Sequence, residues 1–418
     1  MNILEYIETR FQEFFNRKPE VIASAPGRLD FLNTHQDYKG LPVVSVAINK
    51  RTYIAVSRSN TTQIVSLNLC VENQPCIDEF SVENPVLKGG GWFGDYIRSV
   101  VLVLKNKLGV TGEFNMLIYS DIPVASGLAS SAALQVSAVK ALSELWGFNL
   151  SRGEIAELAY TSEHDVMGIP CGRLDQYGSA FGYISRIETK PPYRVSTLKT
   201  QLFKFVAVNS GIKHSTGAIH PVRIYEIKRG IEQLLKQELP VEVKRLLSTN
   251  IYEVKWEELS IEDIKPYIEK LDETPRKRIL FTLKMNYSTR LALELIENPS
   301  RSKLREVEEY LSRECSKCLE EADSASSHQL KLLGGLVNYQ HVLLRDLYDV
   351  SLPQLEEIRR KALEAGAFAV KISGAGLGGA LLAMVEDGSR GLNVVRETSR
   401  ITSGSWLVEI DEGVRREK

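Results

Sequence analysis

The sequence predicts an α+β fold in two domains, and three patterns predict it. Strand-like runs alternate with amphipathic helical stretches through the first half of the 418 residues. A strongly charged and mostly helical region runs from His220 to Leu333. Near the C-terminus two strand-like runs, Ala367 to Ile372 and Gly379 to Val385, flank a glycine-rich turn. A polar stretch from Arg186 to Lys199, with Pro191 and Pro192, is the expected crossover between domains at 1–195 and 196–418.

The elements follow from spacing. Within 1–18, Ile3, Leu4, Ile7, Phe11, Phe14 and Phe15 recur on one helical face, and acidic residues interrupt the stretch, so it is not a signal peptide. Leu41 to Ile48 and Thr52 to Arg58 read as two strands, and Trp92 to Leu108 as an amphipathic helix. Phe114 to Tyr119 reads as a strand. After a small-residue loop, Leu134, Val136, Val139, Ala141 and Leu142 continue with helical spacing. Glu154 to Met167 is a further helix and Phe203 to Asn209 a further strand. Breaks near Pro240, Pro266, Pro275 and Pro299 divide the charged region, and 336–364 is again helical.

Composition narrows the function. Hydrophobic residues make up 43% and charged residues 25%, which fits a soluble globular chain. A net charge of −1 gives no electrostatic reason to expect nucleic acid or an anionic membrane as partner. No run of 18 apolar residues is present. Five cysteines, an odd number, point to reduced thiols and a cytoplasmic setting. Cys315-x-x-Cys318 lacks the two further ligands that zinc needs.

Four segments carry candidate chemistry. Pro123 to Ala133 is a Gly/Ser loop between a strand and a helix N-terminus. Free N–H groups and the helix dipole there favour an anion, without the Walker pattern. The same loop is also what a helix cap looks like. Arg28 to Tyr38 packs Arg28, Asp30, Thr34, His35, Asp37 and Tyr38 into eleven positions, a density that suits a polyhydroxylated ligand; a polar turn is the alternative. Asp175 follows a tight Pro170-Cys-Gly turn after the helix carrying Glu163. It is placed either to act as a general base, with Arg28 beside it keeping it ionised, or to cap the next helix. Lys371 to Gly379 holds four glycines in six residues. A Rossmann turn would open a βαβ unit, whereas this one lies between two strands and fits a loop closing on a ligand.

Together these segments resemble the GHMP kinases, and within them the galactokinases. Arg28 to Tyr38 is similar to the galactokinase signature, and Pro123 to Ala133 to the family's phosphate-binding motif. Glu163-His164 and Gly168 to Gln176 resemble the segment with the metal ligand and the catalytic Asp. Ser373 to Gly379 resembles the third motif, and Asn338 to Leu355, with His341, Arg345, Tyr348, Ser351 and Pro353, a galactokinase C-terminal segment. The resemblance covers roughly residues 20–385.

The resemblance implies a two-domain fold with the active site in the interdomain cleft, and an ATP- and Mg²⁺-dependent sugar kinase acting at the anomeric hydroxyl. It implies Asp175 as the base with Arg28 as partner, and Ser131 (or Ser130) and Glu163 as the metal contacts. ATP would lie against Pro123, Ser126, Gly127, Leu128, Ala129, Ser130, Ser131 and Ala132, with Gly374 and Gly376 of the third motif. The sugar would meet Asp30, Thr34, His35, Asp37, Gly172 and His220.

The departures concern the sugar. The family's Glu before the signature His, which faces the sugar's 6-position, is Thr34 here. The usual Asn is Asp30, the preceding Gly is Asn33, and the sugar-contacting Tyr aligns with His220 across a one-residue gap. The expected substrate is galactose. A C6-modified sugar such as galacturonate is the rival, since Thr34 removes a charge and a cationic His220 favours an anion. Another GHMP small-molecule kinase, or a catalytically silent sugar sensor on the same fold, is the remaining alternative.

Overall fold

β1 (Val21–Leu32) serves both packed units of the chain: its residues through Arg28 belong to the first and Leu29 onward to the second. The computed structural model describes residues 2–123, 126–212 and 216–418. The first unit comprises 1–28, 46–185 and 411–418, and the second 29–45 and 186–410. No single cut in the sequence reproduces units assembled from separated segments in this way.

In the first unit, β1 is followed by β2 (Val43–Arg58), β3 (Thr62–Ser66), β4 (Ile77–Phe80) and β5 (Phe114–Ser120). Their order in space is Arg415–Arg416, β1, β2, β5, β3, β4. β2 and β5 are antiparallel with Thr52 opposite Ser120, and β3 runs parallel to β5 with Gln63 opposite Asn115. The N-terminal helix Ile3–Phe15 starts at a capping box made by Asn2 and Glu5. It buries Ile7 and Phe11 against Ile22, Tyr53, Val65 and Leu117 of the sheet. Helices Asp95–Leu108, Ser130–Leu145, Arg152–Thr161 and Leu174–Phe181 pack on one another.

The two strands expected at 41–58 are one 16-residue strand. Residues 49–51, the polar stretch left between the two expected strands, continue the strand. Within it Arg51 is buried and pinned. It donates to the Ser24 hydroxyl at 2.8 Å, the Asp411 carboxylate at 2.7 Å and the Gly413 carbonyl at 2.8 Å. That side chain adds to the backbone pairing of Arg415–Arg416 with β1 in holding the C-terminal tail to the sheet.

β6 (Ile184–Ile187) pairs with β2 and with β7 (Val195–Leu198). The second unit then builds a sheet from β8 (Lys204–Asn209), β9 (Ala369–Ser373), β10 (Ala380–Val385) and β11 (Gly404–Val408), in the order β11, β8, β10, β9. β9 and β10 form a hairpin closed by the glycine-rich turn, with Ser373 opposite Ala380. Helices Thr216–Leu235, Glu273–Glu297 and His328–Asp346 supply the helical region. The stretch expected to be helical at 336–364 is divided after Asp346. A new helix begins at Pro353, whose missing N–H costs nothing at that position.

The cysteines depart from expectation. Cys70 and Cys76 form a disulfide, as do Cys315 and Cys318, and only Cys171 is free. The bend after helix Leu67–Val71 brings the first pair's Cα atoms to 5.1 Å, and the junction of helices Arg301–Glu314 and Ser316–Glu320 brings the second to 5.4 Å. Parity of the cysteine count therefore says nothing about the paired ones, and the argument from it to reduced thiols fails. No helix among the described residues is long and apolar enough to cross a membrane.

Replacing Arg51 by Met removes the buried donor to Asp411 and to the Ser24, Glu412 and Gly413 carbonyls. Arg51→Met is expected to lower unfolding free energy by about 3 kcal/mol. Urea denaturation checks this, and a loss below about 1 kcal/mol means the tail is held by other contacts.

Candidate active site

In the first unit, β5 leads through the small-residue loop into helix Ser130–Leu145. Ala129 precedes that helix with φ +57° and offers no side-chain cap, so the first-turn N–H groups are not consumed by one. Gly127 is exposed at φ +75°, a conformation that suits glycine. The Ser126 hydroxyl donates to the Pro123 carbonyl at 2.5 Å, which curls the loop. β1 holds the loop from behind: the Arg28 N–H donates to the Leu128 carbonyl at 3.0 Å. A Cβ on Gly27 would stand 2.8 Å from that carbonyl oxygen, so only glycine permits the approach. Ser130 and Ser131 are half-buried at the helix start, whereas Leu128 and Ala132 are buried and anchor the loop by packing. Val124 and Ala125 of the motif lie outside the described residues.

Arg28 joins this loop to Asp175. Its Nε and Nη2 donate to Asp175 Oδ1 at 2.9 and 2.6 Å, while Nη1 donates to the Gly127 carbonyl at 2.9 Å. Both bonds to Asp175 fall on one oxygen. The Asp175 side chain stays 30% exposed against 9% for Arg28, so the other oxygen is open to a ligand. Asp175 occupies the first turn of helix Leu174–Phe181, whose N-cap position is Arg173, so Asp175 is not the N-cap residue. Gly172 is exposed in the loop just before it.

Glu163 lies beside this pair. The helix expected over 154–167 ends at Thr161 and continues as a π turn, Ser162–Val166, which carries Glu163 into a buried position. Burial pushes its carboxyl above the usual range and the Asp175 charge pushes it further, against hydrogen bonds from Ser131 and Gln176. The Gln176 amide donates to Glu163 Oε2 at 2.5 Å.

In the second unit, the signature residues close around the β9–β10 hairpin. Thr34 is 1% exposed and fully committed. Its hydroxyl donates to Asp30 Oδ1 at 3.0 Å and accepts from the Lys371 amine at 2.9 Å. Lys371, itself fully buried, also donates to the Asp30 carbonyl at 3.1 Å, and the Asp30 N–H donates to the Ser373 hydroxyl at 2.9 Å. Burial pushes the Lys371 amine down to about 8, with the Asp30 charge opposing.

His35 is committed as well. Nε2 lies 3.0 Å from the Ala375 carbonyl, an acceptor only, so Nε2 carries the proton. Nδ1 then accepts from the Tyr38 hydroxyl at 3.3 Å, and Tyr38 in turn accepts from Tyr348. Burial keeps His35 well below the usual histidine range, hence neutral.

Asp37 and His220 remain for a ligand. Asp37 receives backbone N–H groups, and its carboxyl is raised by burial against the nearby His220. The His220 ring packs 5.3 Å from His35 and 5.0 Å from Tyr38, and burial lowers its pKa. Gly374 and Gly376 turn the hairpin at positive φ. A Cβ on Gly376 would meet the Val350 carbonyl at 2.5 Å.

Four residues of these clusters carried no site assignment in the sequence: Gln176, Lys39, Tyr348 and Lys371. Gln176, Tyr348 and Lys371 stand inside quoted motifs and were legible as neighbours. Lys39, whose amine lies 4.8 Å from the Tyr348 ring centroid, meets that ring only through the fold. Among the described residues no group of three His, Cys, Asp or Glu side chains converges as a metal cage.

The Lys371 amine loses its proton at about 8 in the folded chain, while the unfolded chain holds it to 10.5. Between those values the unfolded state binds more protons, so this group makes stability rise with pH. Comparing wild type with Lys371→Met between pH 8 and 10 is expected to show a smaller rise in the variant, by about 1.4 kcal/mol per pH unit at most. Parallel curves mean that Lys371 titrates normally.

Residues 9–58 match the galactokinase galactose-binding signature, 95–183 the GHMP kinases N terminal domain and 297–400 the GHMP kinases C terminal domain. A galactokinase of Clostridium acetobutylicum is 27% identical over 401 residues, covering 93% of this chain and 90% of that one. A galactokinase of Roseiflexus sp. (strain RS-1) is 29% identical over 388 residues, covering 92% and 88%. Among solved structures, Lactococcus lactis galactokinase complexed with galactose superposes with a TM-score of 0.76 at 22% identity, over 99% of this chain and 100% of that one. A mevalonate kinase from Methanococcus jannaschii gives 0.61 at 18% identity, over 94% and 98%. With three family models matched in chain order and this fold, the chain belongs to the GHMP kinase family and carries its galactokinase signature.

Proposed function

We propose that the protein is an ATP-dependent galactokinase that transfers the γ-phosphoryl group to the anomeric hydroxyl of galactose. The observation that carries the reading is the Arg28 guanidinium, bonded at once to Asp175 and to the Gly127 carbonyl of the phosphate-type loop. A base and a phosphate cradle held by one rigid fork are what phosphoryl transfer asks of a protein, since its catalysis is mostly positioning and charge stabilisation. The curated relatives named galactokinase span nearly the whole chain, which supports the same reading.

In this mechanism Asp175 accepts the proton of the anomeric hydroxyl on Oδ2, the oxygen that Arg28 leaves open. Arg28 orients the carboxylate, and its charge faces the developing negative charge of the transfer. The free first-turn N–H groups of helix Ser130–Leu145, with Ser130, Ser131 and the Gly127 backbone, hold the ATP phosphates. Ser131 and Glu163 would hold Mg²⁺. One hydroxyl and one carboxylate form a hard oxygen pair, and Mg²⁺ completes such a site with water and substrate phosphates rather than a protein cage. The buried Glu163, whose pKa is raised in the protein alone, fits a carboxylate that gains a cation. When bound, Mg²⁺ neutralises charge on the β- and γ-phosphates. Asp37 accepts hydroxyls of the sugar, and a neutral His220 offers one donor and one acceptor to the same ring.

The geometry argues against an anionic sugar. Thr34 has no hydroxyl proton left to give, Lys371 is sealed behind it, and burial works against a cationic His220. A 6-carboxylate brought here would be buried beside Asp30 and Asp37 without a partner. Asp30, which would repel such a group, thus opposes the effect expected from the loss of a Glu at 34.

Asp175→Asn is expected to lower kcat roughly 10²–10⁴-fold while melting temperature and ATP binding by calorimetry persist. Retention of more than about a tenth of wild-type kcat would remove Asp175 from the base role.

Coupled ADP release with a sugar panel checks the substrate. Galactose is expected to exceed galacturonate by more than about 100-fold in kcat/KM, the scale set by an unpaired buried charge. Comparable values for the two would overturn the preference for neutral sugars.

A further inference from the structure

Two residues of the signature turn, Asn33 and His35, are left-handed at φ +62° and +65°. L residues adopt that region at a steric cost, asparagine at less than most and glycine at none. Asn33 stands where the galactokinase signature has glycine. Such a turn keeps its shape only while its polar groups are bonded in that shape. The Asn33 side-chain amide donates to the Pro42 carbonyl at 2.5 Å and to Asn286 Oδ1 at 3.2 Å. The Asn33 backbone N–H donates to Gln340 Oε1 at 3.3 Å. Asn33 and Gln340 are both fully buried, so bulk water does not replace these bonds.

We propose that Gln340 is a positioning residue for the sugar: reaching from helix His328–Asp346, it holds the left-handed backbone at Asn33 and so sets where His35 and Asp37 stand. The inference rests on the galactokinase reading above.

The orientation of the Gln340 amide is fixed by what lies behind it. Nε2 donates to the Ser288 hydroxyl at 3.2 Å and to the Thr289 hydroxyl at 2.8 Å. Both hydroxyls spend their own protons on the Met285 carbonyl, each at 2.9 Å, so each faces Gln340 as an acceptor. An amide turned the other way would set its oxygen against two acceptors and its NH₂ against the Asn33 N–H. Oε1 is therefore committed to the turn. Glutamate has the same shape but no amide protons to give, so the position calls for glutamine and not for any polar side chain of that length.

What depends on this clamp lies just downstream. His35 meets the Ala375 carbonyl at 3.0 Å, and Asp37 opens the short 3₁₀ helix Asp37–Lys39. Gln36 between them is anchored separately, its Nε2 donating to the Thr282 carbonyl at 3.0 Å. Without Gln340 the Asn33 N–H would be buried with no acceptor, a cost the turn escapes by rotating residue 33 out of the left-handed region. That rotation displaces the residues after it. Among the described residues the hydrogen bonds of Gln340 reach none of the groups assigned to the sugar, so its effect is on their placement. The phosphate-type loop belongs to the first unit and shares none of these bonds.

The test is steady-state kinetics of the full chain, with galactose varied at saturating Mg-ATP and ATP varied at saturating galactose. Gln340→Leu is expected to raise the galactose KM about tenfold and to leave the ATP KM within about twofold. Asn33→Gly on that background is expected to return the galactose KM to within about threefold of wild type, because glycine holds the left-handed backbone without the clamp. Asn33→Ala on the same background, with a Cβ and no amide, is expected to raise it further. A residue that served packing alone would not give these opposite responses. Thr289→Val removes one acceptor behind the amide and keeps the glutamine. It raises the galactose KM by less and, with the same two substitutions at position 33, carries the test if Gln340→Leu does not fold. A galactose KM that stays unchanged in the folded variants overturns the proposal and leaves the galactokinase reading intact, as does a raised KM that Asn33→Gly fails to lower. A wild type that turns over no galactose overturns both.

Discussion

The guanidinium of Arg28 is the constraint on which the first unit's chemistry depends. It ends the part of β1 that belongs to that unit, and its three bonds reach the Asp175 carboxylate and the Gly127 carbonyl. A lysine at this position would supply charge but not the planar fork that spans both acceptors. Because the same residue's backbone N–H holds the Leu128 carbonyl, loop and base are referred to one strand. Gly27 makes that possible by leaving out a Cβ that the loop would strike. The remaining parts follow from this anchor: helix Ser130–Leu145 presents open N–H groups because the residue before it, Ala129, is left-handed and cannot cap.

The sugar-side cluster follows a different principle, in which polar groups are satisfied by one another until few are left. Thr34, Asp30 and Lys371 close one network, and His35, Tyr38, Tyr348 and the Ala375 carbonyl close another. Buried polar groups that bond internally are rigid and are not available to a ligand. Among the described residues Asp37 and His220 make no hydrogen bond to another side chain, which leaves them as the candidates for ligand contact. The turn that carries Tyr348 is itself clamped: Arg223 donates to the Tyr348 carbonyl at 2.9 Å, and Arg278 to the Leu347 carbonyl at 2.6 Å. Two arginines thus fix a tyrosine whose hydroxyl fixes a second tyrosine and, through it, a histidine tautomer.

Much of this was legible in the chain itself, wherever the information is local. The strand, loop and helix at 114–145, the N-terminal amphipathic helix, and the hairpin around Gly374 to Gly379 follow from spacing and glycine placement over a few residues. So did the candidate base, and its pairing with Arg28 was foreseeable from chemistry because an ionised carboxylate needs a cation. Local reading divided one strand where polar residues interrupt the apolar run. Residues 49–51 lie inside that strand, and Arg51 within it is bonded to residues at the far end of the chain.

What the sequence by itself determined, then, was the inventory of candidate groups, namely a Gly/Ser loop before a helix, a carboxylate after a tight turn and a polar signature segment, and their order along the chain. Only the tertiary structure decided which of those groups are free to act. Thr34 and Lys371 are separated by 337 positions, and Arg28 and Asp175 by 147, so no periodicity or motif spacing reports their contacts. Threonine at a signature position reads as an open donor in one dimension and proves to be a spent one in three. The same holds for the cysteines, whose pairing depends on a bend and a helix junction rather than on their number. Whether a polar side chain serves a ligand or the protein depends on how many hydrogen-bond partners the fold has already brought to it, and that count exists only after folding.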